Sequence, residues 1–180
     1  RTNTNSSVAA VIAAIMMMAA SNTFATGTSA AQFLKLSVGA RATGMANAFS
    51  SVADDVTATY WNPAGLAQLE STEIGAMQNS HFDNINFQYI GAVSPMADFV
   101  LGASVYRLDY GTIDRYTASD TKDGSFNAGS LAGSISAAKK IQDNLLVGAN
   151  LKYVSESIES EKASTFAADL GILYKRNNMN

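Results

Sequence analysis

The sequence predicts an all-β protein, a transmembrane antiparallel β-barrel of which about six strands are present, behind a short helical N-terminal plug. Three observations predict it. An apolar run near the start has the dimensions of an export signal. The spacing of apolar residues changes to period two from Glu73 onward. The alternating runs are about ten residues long, the length a tilted strand needs to cross a bilayer, whereas strands of globular proteins average about 5–6 residues.

The export segment comes first. Val8 to Ala20 is an uninterrupted run of small and apolar residues behind Arg1 and a polar Thr/Asn/Ser stretch. At about 13 residues it is too short for a helix that spans a bilayer, which takes about 20, and it fits the apolar core of a signal peptide. Thr23-Phe24-Ala25 places small residues at the positions a signal peptidase reads, so residues 1–25 are expected to be removed and the mature chain to begin near Thr26. No later run approaches 18 consecutive apolar residues. After cleavage the expected destinations are therefore the periplasm, the exterior, or a membrane crossed by strands. Because Arg1 rather than Met opens the chain and Tyr174-Lys175-Arg176-Asn177-Asn178-Met179-Asn180 reads as a strand entering a turn, the chain is expected to be a fragment truncated at both ends.

Residues 26–70 form the expected plug. From Ala30 to Leu69 the larger apolar residues (Phe33, Leu36, Ala40, Met45, Phe49) follow helical rather than alternating spacing, with glycines as breakers. Asn62-Pro63 predicts a short turn through Leu66, since Asn caps a helix start and Pro fits its first position.

Residues 71–180 are expected to be the first strands of an incomplete barrel. Ile85, Phe87, Tyr89, Gly91 and Val93 alternate with Asn86, Gln88, Ile90, Ala92 and Ser94. Leu145, Val147, Ala149, Leu151 and Tyr153 alternate with Leu146, Gly148, Asn150, Lys152 and Val154. Phe166, Ala168, Leu170, Ile172 and Tyr174 alternate with Ala167, Asp169, Gly171, Leu173 and Lys175. Leu131, Ile135 and Ala137 against Ser130, Ser134 and Ser136 is a weaker case, and in Phe99 to Tyr110 the phase shifts near Tyr106, which predicts a bulge there. Turns are expected at Asp83-Asn84, Pro95-Met96-Ala97-Asp98, Lys122-Asp123-Gly124 and Gln142-Asp143-Asn144. Tyr89, Tyr153 and Tyr174 near the ends of oily faces are expected in the aromatic girdles of a membrane barrel. A water-soluble β-sandwich also alternates, but with shorter strands and more Pro and charge in its loops; this chain has 2 Pro and 15% charged residues.

Several chemistries lack their parts. There are no cysteines, which excludes disulfides, thiolate metal sites and Cys nucleophiles. A net charge of −3 without a basic cluster argues against nucleic acid. His81 is the only histidine, too few for a His-based metal centre, and a Ser/His/Asp triad would have to be built around a loop residue. Gly39 to Gly44 does not have the spacing of a phosphate loop. No enzyme activity, catalytic residue, cofactor or metal is therefore expected. Glu156, Glu159 and Glu161 near Lys162 read as a solvated acidic edge with the composition of a cation-binding loop.

The stretch Ala31-Gln32-Phe33-Leu34-Lys35-Leu36-Ser37-Val38-Gly39-Ala40-Arg41-Ala42-Thr43-Gly44-Met45-Ala46-Asn47-Ala48-Phe49, with Ala53-Asp54-Asp55-Val56-Thr57-Ala58-Thr59-Tyr60-Trp61-Asn62-Pro63-Ala64-Gly65-Leu66-Ala67, resembles the start of PorV/PorQ-family outer-membrane proteins, a family similar in turn to FadL-type transporters of hydrophobic compounds. The resemblance implies a bacterial outer-membrane barrel of about 14 strands whose N-terminal segment folds into the lumen as a hatch. Asn62-Pro63-Ala64 resembles the Asn-Pro-Ala motif of that hatch, and Ala167-Ala168-Asp169-Leu170-Gly171 looks like a strand motif of the family. The sequence departs at Ala46-Asn47, where relatives often carry Gly-Gly.

The candidate gating residues are Arg41, Asp54, Asp55, Trp61, Asn62 and Pro63. Arg41 with Asp54 or Asp55 makes a hatch-internal ion pair in one reading, the fork of Arg suiting a carboxylate; in others it is solvated or pairs with Asp169. Tyr60 and Trp61 either line a ligand path or pack the hatch against the wall. Three functions follow as expectations: passage of hydrophobic small molecules, handling of secreted cargo proteins in type IX secretion, and a structural barrel without transport. The expected surroundings are outer-membrane lipid.

Overall fold

In the computed structural model, which describes residues 31–81 and 84–175, short helical pieces precede a single antiparallel sheet. The expected signal peptide (1–25), the first residues of the expected plug, Asp83 of the expected first turn and the residues after Lys175 lie outside the described residues. The helical pieces are a 3-10 turn over Gln32–Lys35, α-helices over Ala40–Gly44 and Ala58–Trp61, and a 3-10 stretch over Pro63–Gln68. The strands are β1 (Glu73–Ser80), β2 (Asn86–Pro95), β3 (Val100–Tyr116), β4 (Lys122–Gln142), β5 (Leu145–Ile158) and β6 (Glu161–Tyr174). They pair in sequence order, each antiparallel to the next, as a six-stranded meander. Among the described residues β1 and β6 are paired on one side only, so the sheet is open.

Two faces of opposite character result from the alternation. On the inner face, Phe87, Val93, Tyr106 and Ala132 are buried against the helical segment, together with Ser104, Ser130, Ser134, Ser136, Asn150 and Lys152. The outer face is apolar and exposed. Register aligns it into rows: Ala76, Ile90, Val105, Gly133, Tyr153 and Phe166 form one. Ile74, Ala92, Ala103, Ile135, Leu151 and Ala168 form the next, followed by Ser94, Leu101, Ala137, Ala149 and Leu170. Ile135 is 68%, Leu170 69% and Phe166 69% exposed. The row above the first, Gln78, Gln88, Arg107, Leu131, Ser155 and Ser164, is where the outer face turns polar.

The helical segment lies on the inner face and supplies the core it would otherwise lack. Phe49, Ala53, Val56 and Leu66 pack with Val93, Val100 and Ala138; Phe33 and Val38 pack with Phe87, Tyr106, Leu108 and Val154. Phe33 and Phe49 are 1% and 0% exposed, and burying each contributes about 1.5–3 kcal/mol. Met45, of the same helical spacing, is on the surface instead. Ala46 and Asn47 have φ of 52° and 66°. This is the left-handed region that favours glycine, the residue expected there from the resemblance. Asn47 tolerates it, and its side chain accepts a 2.7 Å hydrogen bond from Ser37 Oγ.

Four expectations are corrected. Alternation in β3 runs unbroken through Tyr106, which is fully buried; register slips between Asp109 and Thr112, where Gly111 has φ 70°. Lys122-Asp123-Gly124 is strand, not turn: the chain reverses over Thr117–Thr121, with Asp120 at φ 57°, and Gly124 (φ 94°) sits in a second register shift. Tyr89 is not in a girdle. Its face of β2 points inward, where the ring is 3% exposed, while Tyr153 and Tyr174 are exposed on the outer face. The acids near Lys162 diverge: Glu156 turns inward to accept from Ala31 N (3.3 Å) and Ser130 Oγ (3.4 Å), and Glu159 pairs with Arg115.

Candidate functional site

The seam between the helical segment and the inner face of the sheet holds the polar contacts of greatest sequence separation among the described residues, Ala31 with Glu156, Asn62 with Ile172 and Thr59 with Asn150. Its centre is the Ala58–Trp61 helix. Thr59 Oγ1 and the Tyr89 hydroxyl are 2.8 Å apart, and Tyr89 donates to Val56 O at 3.0 Å. Asn150 on β5 donates to Thr59 O and to Asp169 Oδ2, both at 3.1 Å, while its Oδ1 accepts from Ser136 Oγ at 3.1 Å. Lys152 Nζ lies 2.6 Å from Asp169 and 5.8 Å from the centre of the Tyr60 ring. A buried cation is tolerated when paired in this way. One row of the sheet, Ser136, Asn150 and Asp169, thus forms a cross-strand polar ladder under the helix. The Tyr106 hydroxyl, also buried here, has no hydrogen-bond partner among the described residues.

Below this ladder the segment approaches the backbone of the sheet directly. Gly148 and Gly171 are opposite one another on β5 and β6. A β-carbon at Gly148 would meet the backbone of Pro63 and Ala64, and one at Gly171 would meet Asn62 Oδ1. Glycine inside a strand marks such a close approach. The Asn62-Pro63-Ala64 element therefore sits in a seat cut from two strand glycines. A third, Gly102, makes room for Thr59 and Leu66.

The candidate gating residues are placed as follows. Asn62 caps the Pro63–Gln68 turn, its Oδ1 accepting from Ala64 N at 3.1 Å, with Pro63 at the first position. Asn62 Nδ2 donates to Ser50 O at 2.9 Å, tying two parts of the segment together. Arg41 forms a two-pronged pair with Asp54, the second prong 3.1 Å, and lies 3.9 Å from Asp55. It does not pair with Asp169, which Lys152 and Asn150 occupy. The hydrogen bond to Arg41 lowers the Asp54 pKa, and the bond to Asp54 raises that of Arg41. Both groups are exposed, so the pair is screened and adds little to stability. Asp55 instead turns to Thr57, accepting from its N–H at 2.8 Å.

Tyr60 and Trp61 pack. Trp61 donates to Val38 O at 2.8 Å and meets Phe49 and Tyr60 edge-on. The Tyr60 hydroxyl lies within reach of Leu34 O (2.5 Å) and Leu36 O (2.8 Å), and burial pushes its pKa up to about 12. These bonds hold the Gln32–Lys35 turn to the rest of the segment. Sequence reasoning missed Thr59 on the docked helix and Gly148, Asn150, Lys152 and Gly171 of the sheet as its seat; the signal in the sheet is small or polar residues at every second position of the inner face.

What the arrangement offers is a segment docked on one wall by hydrogen bonds and shape, over a Lys152–Asp169 ion pair that lies within the wall itself. The model of the UPF0164 family, described as an uncharacterised protein family, matches residues 5–173. No curated protein matches the chain.

Proposed function

The chain belongs to the UPF0164 family, and from that premise and the division of its two faces we propose that it forms the wall and hatch of an outer-membrane β-barrel of the PorV/PorQ type, serving transport across the membrane. The observation that carries this reading is the inversion of the usual order of residues. Between the row of Phe166 and that of Leu170, the outward positions hold no charged side chain, while Ser104, Ser134, Ser136, Asn150, Lys152 and Asp169 are gathered on the opposite face. A contiguous apolar surface of this kind is costly in water and marks contact with another apolar phase.

The dimensions agree with a bilayer. From Leu145 to Tyr153, at about 3.4 Å per residue, the apolar run along β5 is about 27 Å long; on β4 it ends at Ala137, one row before the outward Lys139. Tilted by about 40°, it rises about 20 Å, comparable to the about 25 Å band of membrane barrels. Tyr153 and Phe166, rings 5.2 Å apart, lie at its upper border and Tyr174 at its lower one, where aromatic girdles belong. Facing the lumen, the segment over residues 31–69 is the hatch. It is joined to the wall by noncovalent contacts that a conformational change can release, which suits a gate for hydrophobic solutes.

A second reading, the handling of secreted cargo, draws on the β3–β4 hairpin. It continues past Asp109 and Ala128, where β2 and β5 cease to pair with it, and presents Ile113 and Tyr116 to solvent. Flux separates the two. Liposomes holding the full-length protein are expected to take up a labelled fatty acid or aromatic faster than protein-free liposomes. Equal rates, together with cross-linking of the hairpin to a secreted protein, would overturn transport in favour of cargo handling.

A further inference from the structure

Just above the upper border of the apolar rows, the outer face carries a depression of about 310 Å³ lined by Arg107, Gly129, Leu131, Ser155, Ser157 and Lys162. We propose that this depression binds the phosphate of an anionic lipid headgroup, with Arg107 and Lys162 as its cationic walls and the hydroxyls of Ser155 and Ser157 between them. The proposal rests on the membrane reading above and adds a ligand to that surface.

Register fixes the placement. Arg107 is opposite Leu131, Leu131 opposite Ser155, and Ser157 opposite Lys162, so cations from β3 and β6 converge on hydroxyls from β5 across the width of β4. Directly below, one row into the apolar band, lie Val105, Gly133, Tyr153 and Phe166. A lipid whose acyl chains lie along these residues places its phosphate at the height of the depression. The Tyr153–Phe166 ring pair marks that height independently, since aromatic side chains gather at the headgroup level.

Charge is available for an anion. Lys162 has no ion-pair partner among the described residues. Arg107 gives one N–H to Asp109 at 2.8 Å, which leaves further donors of its fork free. Asp109 also accepts from Gly111 N at 3.0 Å, so its charge is partly engaged by backbone. Two cations against one carboxylate leave a net positive site. Gly129 adds no side chain, and nothing but Leu108 O would lie within 4 Å of a β-carbon there, so the floor is open.

The test uses the full-length protein in nanodiscs of phosphatidylcholine with a minor fraction of phosphatidylglycerol, with heat-modifiable electrophoretic mobility as the readout of insertion and native mass spectrometry of retained lipid as the readout of binding. The expected result is an inserted protein that retains phosphatidylglycerol in preference to phosphatidylcholine. Lys162→Gln and Arg107→Gln should each weaken that preference about fivefold, and Lys122→Gln, an equal charge change on the protruding hairpin, should not. An inserted protein with no lipid preference, or equal losses for Lys162→Gln and Lys122→Gln, would overturn the site while leaving the membrane reading intact. Failure to insert in either lipid would overturn the membrane reading itself. Complete displacement of the lipid by millimolar inorganic phosphate would identify a site for the free anion and overturn the lipid assignment.

Discussion

Gly148→Val is expected to unseat the helical segment over residues 31–69 while leaving the sheet paired. A β-carbon at this position would stand 2.5 Å from Ala64 N and 2.6 Å from Pro63 O. These are backbone atoms of a turn already fixed by proline and by the Asn62 cap, so no side-chain rotation relieves the overlap. Overpacking of this kind typically costs about 1–3 kcal/mol, and contact with backbone puts it at the upper end. Valine is itself a good strand residue, so the penalty falls on docking rather than on β5. Hydrogen exchange of the Ala58–Leu69 amides in the full-length protein should accelerate by about two orders of magnitude, on about 1.4 kcal/mol per factor of ten. The β4–β5 ladder should keep its protection. Gly133→Val is the matched control, because Gly133 faces outward with nothing within 4 Å of a β-carbon; its Ala58–Leu69 amides should exchange as in the wild type.

Ile135→Arg should have the second large effect, with a sign that depends on what surrounds the outer face. Ile135 is 68% exposed, between Ala103 and Leu151 and one row above the middle of the apolar band. In water, replacing an exposed isoleucine on a strand with arginine is close to neutral, within about 0.5 kcal/mol. In a bilayer, an arginine near the midplane of a barrel costs about 2–4 kcal/mol. Denaturant unfolding of the full-length protein from liposomes should therefore show a loss in that range. A Ser136→Ala change one residue on, pointing into the seam, should cost about 1–3 kcal/mol in either setting, because it leaves the buried Asn150 Oδ1 without its donor.

Much of the strand layout is legible in the sequence because period-two alternation registers which residues share a face. In β4, β5 and β6 the contrast between Ser130, Ser134, Asn150 or Asp169 and Leu131, Ile135, Leu151 or Leu170 follows the observed faces residue by residue. In β2 the faces separate correctly, yet Phe87 and Tyr89 point to the helical segment and Ile90 outward. Alternation reports that two faces differ; which one meets the helical segment depends on partners far along the chain. The supposed break at Tyr106 had the same origin. A large aromatic on the inner face looks out of phase until Phe33 and Tyr60 are placed against it, with ring centres 6.2 and 5.6 Å away. Asp123-Gly124 has turn chemistry but serves a bulge, because a left-handed glycine fits either.

The helical segment was legible where its contacts are local. The Asn62 cap spans two residues and the Arg41–Asp54 pair thirteen, and both follow from side-chain chemistry within the segment. The seat was not. It joins residues 62–64 to Gly148 and Gly171, and a strand glycine carries no sign of what will approach it. Only the folded chain brings Asn150 beneath Thr59.

The absence of cysteine from the chain permits a direct test of the central claim, that the apolar face of the sheet meets lipid. Single cysteines placed in turn at Val147, Ala149, Leu151, Tyr153, Ser155 and Ser157 of the full-length protein in bilayers, with any cysteine outside this chain replaced by serine, sample the outward side of β5 from below mid-band to beyond its upper border. Cysteines at 147, 149 and 151 are expected to resist a membrane-impermeant maleimide and, once labelled in detergent with a fluorophore and reconstituted, to be quenched by brominated lipid. Those at 155 and 157 are expected to react. Equal and rapid aqueous labelling at all six positions, with no quenching by brominated lipid, would contradict the account.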